Sequence, residues 1–554
     1  MVSPVAPLRI PRFRALWGAS VFSNVGGFLQ ASGAAWLMLE LTGSATWVGL
    51  MSASTTLPFL ALALVAGAIA DMFERTRVLL FAQIVMGAAA GLMALITFLG
   101  EATPGRLLGL GLLMGVAGAF NLPAWQALVP DLVPRELVAS AVALNSVAFN
   151  VARTIGPVIG GLLVATVGAE YSFGINAASY GLVIGVLLYM RRTGEPAVAR
   201  DQTSLANAIG LGIRYARYTR PFRRILLIGA LFALTSAVVQ TVLPNHTAQL
   251  GGGSLAYGVL LGAMGLGAIV AAFTRRRVVE GLGRKAVPLT MTLFGVFGIG
   301  VGLSPTPGWA GPFLIGAGAC WVWTLTTLNA SAQLLSPSWV RGRTMGLYTL
   351  SFVGVYPVGA ILAGAMADAI GTSNAYVLLS SAGIVLGLAA IRSGLPVLGE
   401  IESPEFSDDR TRPSHALEEG SGPVMLLNSW IVDLADIDSF LKVMNDLRLV
   451  RLRTGAYRWR LYREAGDPRR LTEAFLTVSW EEHLNQHSRI DNASSLVIGR
   501  ARAFDVRGEP NTRHLLAVDM ERPPDFDELL AAHDEMHAVD GSIPLTDPDR
   551  QVDS

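Results

Sequence analysis

The chain has 554 residues, of which 52% are hydrophobic and 60 are glycine, and its mean hydropathy is +0.48. A soluble protein this apolar would expose large adhesive patches, so the composition excludes an ordinary soluble domain and points to a polytopic membrane protein. The formal net charge of +1 argues against nucleic acid as a partner, and the single cysteine, Cys320, excludes an intrachain disulfide and C-x-x-C chemistry.

A helix that spans a bilayer needs about 20 mostly apolar residues. Read forward, twelve stretches qualify: 15–39, 47–70, 78–99, 107–129, 139–167, 172–190, 223–245, 255–274, 286–304, 311–333, 343–368 and 374–392. The first is too long for the apolar core of a cleavable signal peptide, and none is expected. The longest polar gap, 191–222, divides the spans six and six. This gives an N-terminal bundle over 1–192, a central loop over 193–222 and a C-terminal bundle over 223–395.

Lysine and arginine in the connections set the orientation. One set of loops carries Arg9, Arg12, Arg14, Arg75, Arg77, Arg135, Arg191 through Arg224, Arg275 through Lys285, Arg341 and Arg343. The alternating set carries little beyond Arg106. Both termini and the central loop are therefore expected in the cytoplasm. Within that loop Leu205, Ile209, Ile213 and Ala216 recur at helical spacing, which suits either a helix on the inner membrane surface or a plain linker helix.

The halves resemble each other weakly. Pro157 in the fifth span and Pro357 in the eleventh are 200 positions apart, each followed by small residues. Internal repeats of six helices are typical of transporters that rock two halves around a central site.

From Pro396 the character changes. Residues 396–422 hold seven acids against two arginines and read as a solvated linker. Residues 423–520 then give strand, helix, hairpin, helices and strand, an α+β ferredoxin-like order, and 521–554 form an acidic tail.

The loop after the second span reads GAIADMFERTRVL, 67–79. It resembles the hallmark loop of the major facilitator superfamily, G-x-L-a-D-r-x-G-r-k, at Gly67, Ile69, Asp71 and Arg75, and departs from it at Glu74 and Thr76. The resemblance makes Gly67, Asp71 and Arg75 a cytoplasmic gate; the plainer alternative is a basic loop that only sets topology. In the fifth span Gly156-Pro157 and Gly160-Gly161 resemble the antiporter motif that marks exporters of that superfamily. Pro157 has no N–H, so the carbonyl of Arg153 lacks a helical partner. Arg153 lies about 14 residues, or about 21 Å, inside the helix. A charge there costs about 2.5–3.5 kcal/mol or more, so it should face a cavity or a partner; pinning helix packing through carbonyls is the other reading.

Residues 123–157 and SWEEHLNQHSRID, 479–491, are similar to the enterobactin-exporter-like branch of the superfamily and to its long members with a fused C-terminal domain. That resemblance covers nearly the whole chain. It implies a bacterial inner-membrane exporter driven by ion exchange and does not fix the substrate. The expected fold is an all-α membrane protein of two six-helix bundles, and the expected cargo an amphipathic small molecule (siderophore, drug or metabolite) moved by antiport. The transport path would include Asn145, Asn150, Arg153, Gly156, Pro157, Gly160 and Gly161.

No carboxylate stands deep in a span and the fourth span lacks a basic residue before its glycines, so H+ as coupling ion rests on Glu40, His246 or Asp368 near the span ends. Gln30, Asn121, Gln126, Gln240, Asn329 and Gln333 are further candidates for cavity polarity, and Trp321 and Trp323 for aromatic walls. The C-terminal domain resembles the small barrels of antibiotic-biosynthesis monooxygenases and is expected to regulate or to dimerise the protein. His483 and His487 share a helix face, but no third ligand is evident, and the HDEMH of 533–537 lies in a charged tail, so no metal site is expected. No nucleotide-binding motif is present and no cofactor is expected. The rival reading is a membrane-anchored enzyme or sensor in which 423–520 does the work.

Overall fold

The computed structural model describes residues 5–192, 205–337, 339–392, 422–508 and 510–518, with the side chains of 63–65, 67–72, 127, 130, 131, 135, 139, 192, 205–209, 488 and 492 outside that description. The linker over 396–421, the tail over 521–554 and the side chains of Gly67, Ile69 and Asp71 therefore lie outside the described residues.

The N-terminal bundle is built from α1 (Pro11–Thr42), α2 (Ala45–Met72), α3 (Arg75–Phe98), α4 (Pro104–Asp131), α5 (Val138–Thr166) and α6 (Ala169–Arg192). After α7 (Leu205–Tyr218), the C-terminal bundle comprises α8 (Arg220–Thr241), the short α9 (Leu243–Gln249), α10 (Ser254–Leu282), α11 (Ala286–Gly302), α12 (Pro307–Leu334), α13 (Arg341–Thr349), α14 (Tyr356–Ile370) and α15 (Thr372–Ile391). Among the described residues ten stretches are long and apolar enough to cross a membrane. One of them, 254–302, holds both α10 and α11, and the 32-residue α1 completes twelve spans.

Turns between spans use the backbone freedom of glycine where the chain must reverse. Gly43 closes α1 with φ of 64° and donates its N–H to the carbonyl of Leu39 at 2.7 Å, a left-handed cap that only glycine adopts cheaply. Inside the N-terminal bundle Met38, Ala90, Met93, Leu107 and Phe173 form one apolar core. The two prolines of the weak repeat are accommodated differently. Helix α5 runs continuously through Pro157, whereas the eleventh span opens into a π-helical turn over Leu350–Gly354 and restarts at Tyr356, just before Pro357.

A separate compact unit consists of Gly210–Arg223, Pro337–Arg341 and the C-terminal domain. The domain runs β1 (Val424–Ile431), α16 (Ile437–Thr454), β2 (Arg458–Arg463), β3 (Arg470–Thr477), α17 (Trp480–Ser488), α18 (Asn492–Arg502) and β4 (Asn511–Leu516). Its antiparallel sheet has the order β2-β3-β1-β4, the topology expected for the ferredoxin-like reading. Burial alternates along β1, so Val424, Leu426, Asn428 and Trp430 point inward, and Trp430 packs with Phe440, Met444 and Leu447 of α16. Glu473 shares this interior, fully buried. It is satisfied by Nδ2 of Asn428 at 2.7 Å, Nε1 of Trp459 at 2.8 Å and Nε of Arg451 at 3.2 Å.

The described part of α7 belongs to this unit. Tyr218 packs on the cluster of Val424, Leu426, Leu452, Phe475 and Trp480, and Tyr215 meets Phe222 and Trp339 edge-on at 5.9 and 5.8 Å. Protein side chains thus cover the aromatic end of the helix that sequence periodicity left as either a membrane-surface or a linker helix, while Ile213 stays exposed.

Candidate functional site

The fifth span is laid out face by face. A Cβ on Gly156 would stand 2.5 Å from Cβ of Phe28, and one on Gly160 would press on Oγ of Ser32 and stand 3.1 Å from the carbonyl oxygen of Leu29. These two glycines therefore let α1 close against α5. Gly161 serves the other bundle. A Cβ there would strike the carbonyl of Ser254 and stand 3.0 Å from Cα of Gly258 on α10, and one on Gly258 would strike the carbonyl of Pro157. Farther along the same seam Gly262 meets Val158, and Gly265 meets Thr154.

A second seam joins α2 to α14. A Cβ on Gly49 would lie 2.5 Å from the carbonyl oxygen of Ala360, and one on Gly364 would lie 2.8 Å from Cα of Thr46. Helix α5 ends, α10 begins, α2 begins and α14 ends on the same side, the arginine-poor one. Both seams therefore close the bundle interface toward that side.

Arg153 stands at the inner margin of the first seam, one residue before Thr154. Its guanidinium carbon lies 5.7 Å from the ring centroid of Trp321 on α12, a cation–π contact across the two bundles. Trp321 is the hub of an aromatic cluster drawn entirely from the C-terminal bundle. Phe232 lies at 5.5 Å, Phe352 at 5.5 Å, Phe294 at 5.9 Å and Tyr356 at 6.1 Å. Among the described residues Arg153 is half-buried and has no hydrogen-bond or ion-pair partner. Asn145 and Asn150 lie on the same helix toward the arginine-rich side, with Nδ2 of Asn150 donating to the carbonyl of Ser146 at 2.8 Å.

Other polar candidates fall elsewhere. Gln30 is buried within the N-terminal bundle, accepting from Nδ2 of Asn176 at 2.5 Å and lying 2.9 Å from Sδ of Met114, so its polar atoms are satisfied inside that bundle. Asn121 pairs with Gln83 at 3.0 Å, and Trp323 donates to the carbonyl of Ala271 at 3.2 Å. His246 is enclosed by the C-terminal bundle, 2.9 Å from the Val301 carbonyl and 3.2 Å from Oγ1 of Thr372. Glu40 is exposed and accepts from Nε1 of Trp36 at 2.7 Å. Trp36 in turn stacks on Tyr257 of α10 at 5.8 Å, a cross-bundle pair that its spacing from Glu40 did not betray. Asp368 caps α2, accepting the backbone N–H groups of Ala45 and Thr46 and the hydroxyl of Ser44. In the hallmark loop Glu74 pairs with Arg77 and stands 4.0 Å from Arg191.

Residues 2–523 match the family described as transmembrane secretion effector. The chain belongs to this branch of the major facilitator superfamily. Among curated relatives, the chain is 28% identical over 433 residues to the multidrug efflux pump Tap of Mycobacterium tuberculosis, covering 73% of this chain and 97% of that one. It is 27% identical over 379 residues to the enterobactin exporter EntS of Salmonella typhimurium, covering 67% and 86%. Among solved structures, a bacterial homologue of the human lysosomal transporter Spinster in an inward-facing, unoccupied conformation aligns with a TM-score of 0.53 at 15% identity, covering 72% of this chain and all of that one. A POT family transporter in complex with a thioalcohol-conjugated peptide aligns with a TM-score of 0.56 at 13% identity, covering 69% and 95%. At such identities the structures show the fold alone. The chain is thus a multi-pass membrane protein of an exporter family.

Proposed function

We propose that the chain is a secondary exporter of a bacterial inner membrane, with both termini in the cytoplasm, that moves an amphipathic small molecule outward by alternating access in exchange for H+. The observation that carries this reading is the pair of glycine seams, α5 with α10 and α2 with α14, which close the arginine-poor side while Arg153 and Trp321 meet at the inner margin. With the arginine-rich loops in the cytoplasm, that is a state sealed from outside. The cargo enters from the cytoplasm, the seams part, and the cargo leaves as the inner ends close through the loop of Gly67, Asp71 and Arg75.

The fused domain fits a regulatory role. Its core holds Tyr218, and Arg489 stacks over Trp339 at 4.7 Å, so it engages two connections that are continuous with α8 and α13. The half-exposed sheet face of Met425 and Leu427 offers a surface for a homodimer, which light scattering of the purified protein tests.

Reconstituted vesicles test the export reading. Outward movement of amphipathic dyes that an imposed pH gradient accelerates, and that survives deletion of 396–554, supports it. If no solute moves while the C-terminal fragment alone turns over a substrate, the anchored-enzyme reading replaces it.

A further inference from the structure

We propose that the cargo is anionic, an acidic group attached to a flat apolar body, and that Arg153 with Trp321 selects it. This rests on the export reading above and adds the charge of what is exported. Among the described residues of the twelve spans, Arg153 is the one charged side chain farther than two turns from a helix end. The acids whose side chains are described, Glu40, Glu170, Glu280 and Asp368, all stand near the ends. Glu280 is already paired with Arg276, and Asp368 is already spent on the cap of α2. A cationic cargo at mid-depth would meet a like charge and, among the described residues, no countercharge. An anionic cargo would meet a guanidinium that rests on the face of an indole, beside Tyr356, and that among the described residues has no carboxylate partner.

The placement suits recognition by two surfaces. The guanidinium comes from the N-terminal bundle, and the aromatic wall of Phe232, Trp321, Phe352 and Tyr356 comes from the C-terminal one. A planar anion between them would accept hydrogen bonds from Arg153 and stack on the rings, touching both halves at once. Arginine is the fitting cation for this task. Its fork binds an oxyanion with two parallel N–H groups, and its flat, weakly hydrated face already rests on Trp321. Binding would also offset the cost of holding a lone charge at that depth.

The test is equilibrium dialysis of the full chain in nanodiscs against two probes that share one ring system, 2-naphthalenesulfonate and 2-naphthylmethylammonium, with empty nanodiscs subtracted. The expected result is sulfonate binding about tenfold or more tighter than ammonium binding. Arg153→Gln should abolish the preference, and Arg153→Lys, which keeps the charge without the planar fork, should retain part of it. Trp321→Leu should weaken sulfonate binding while leaving the sign of the preference. Equal binding of the two probes, or tighter ammonium binding, by the native chain overturns the proposal. So does an Arg153→Gln protein of native size-exclusion profile that keeps the preference. Vesicle efflux separates the two readings. Movement of the ammonium probe but not the sulfonate sinks the charge assignment and spares the exporter, whereas failure of both probes to bind or move counts against both.

Discussion

Asp368, near the last turn of α14, accepts the backbone N–H of Ala45, at the first turn of α2, at 2.8 Å, and the neighbouring N–H of Thr46 lies at 2.9 Å. The first N–H groups of a helix have no partner within it, and the helix end carries partial positive charge, so a carboxylate from the other bundle is a natural latch. Losing such a cap costs about 0.5–2 kcal/mol, which moves a two-state equilibrium about 2- to 30-fold. Asp368→Asn should therefore favour the state open at the arginine-poor side. The measurement is the rate at which an impermeant thiol reagent labels Ala360→Cys, now fully buried under Gly49, in a Cys320→Ala background. Faster labelling is expected.

Gly161 packs on the backbone of α10, where a larger side chain has no flexible neighbour to displace. Gly161→Val should disfavour closure of that seam by about 1–3 kcal/mol, the usual range for overpacking. Labelling at the arginine-poor side should rise and export should fall, with membrane insertion unchanged on fractionation.

His483 is buried, and its ring lies 4.8 Å from both His487 and His514, the latter on β4 and invisible as a neighbour in the linear sequence. Burial first, then His487, His514 and Arg451, push its pKa from 6.5 down to about 3. Between those values the unfolded chain binds the proton and the folded domain does not. Stability of the C-terminal domain therefore rises with pH across that window and is lost on acidification from 6.5 toward 3. Hydrogen exchange at Val424–Ile431 in the full chain should accelerate as the pH is lowered after correction for intrinsic rates. His483→Gln should flatten the dependence, leaving the weaker contribution of His514, whose pKa burial also lowers.

Arg489 donates to both oxygens of Glu482, at 2.6 and 3.0 Å, and to the carbonyl of Thr454 at 2.9 Å, besides stacking over Trp339. Its side chain is 9% exposed and that of Glu482 15%, so removing one partner strands a shielded charge. Arg489→Ala should destabilise the domain by about 3 kcal/mol. Trp339→Ala should leave the domain folded and raise hydrogen exchange in α7 and the connection before α13. Unchanged exchange there would argue against a grip on these connections.

The helices were legible because a span must be long and apolar, and the ferredoxin-like order because its strands alternate and Gly466-Asp467-Pro468 interrupts the hairpin. The direction of each face of α5 was not. Gly156, Gly160 and Gly161 are equally small, and only packing sends the first two to α1 and the third to α10. The partners of polar side chains were hidden for a related reason. Gln30 in an apolar helix suggests a cavity, yet Asn176, 146 positions away, satisfies it inside the bundle. The aromatic cluster around Trp321 draws on four separate spans, and no local pattern announces it.

Alternating access predicts opposite movements at the two sides of the membrane domain. Spin labels at Leu41 and Ile370 report the arginine-poor side, and labels at Glu136 and Gly281 report the arginine-rich side, all four positions being exposed. On addition of a transported solute, electron–electron resonance should show the first pair separating while the second draws together. If solute crosses the membrane while both distances stay fixed, or both change in the same direction, two bundles rocking around Arg153 and Trp321 is the wrong description of this protein.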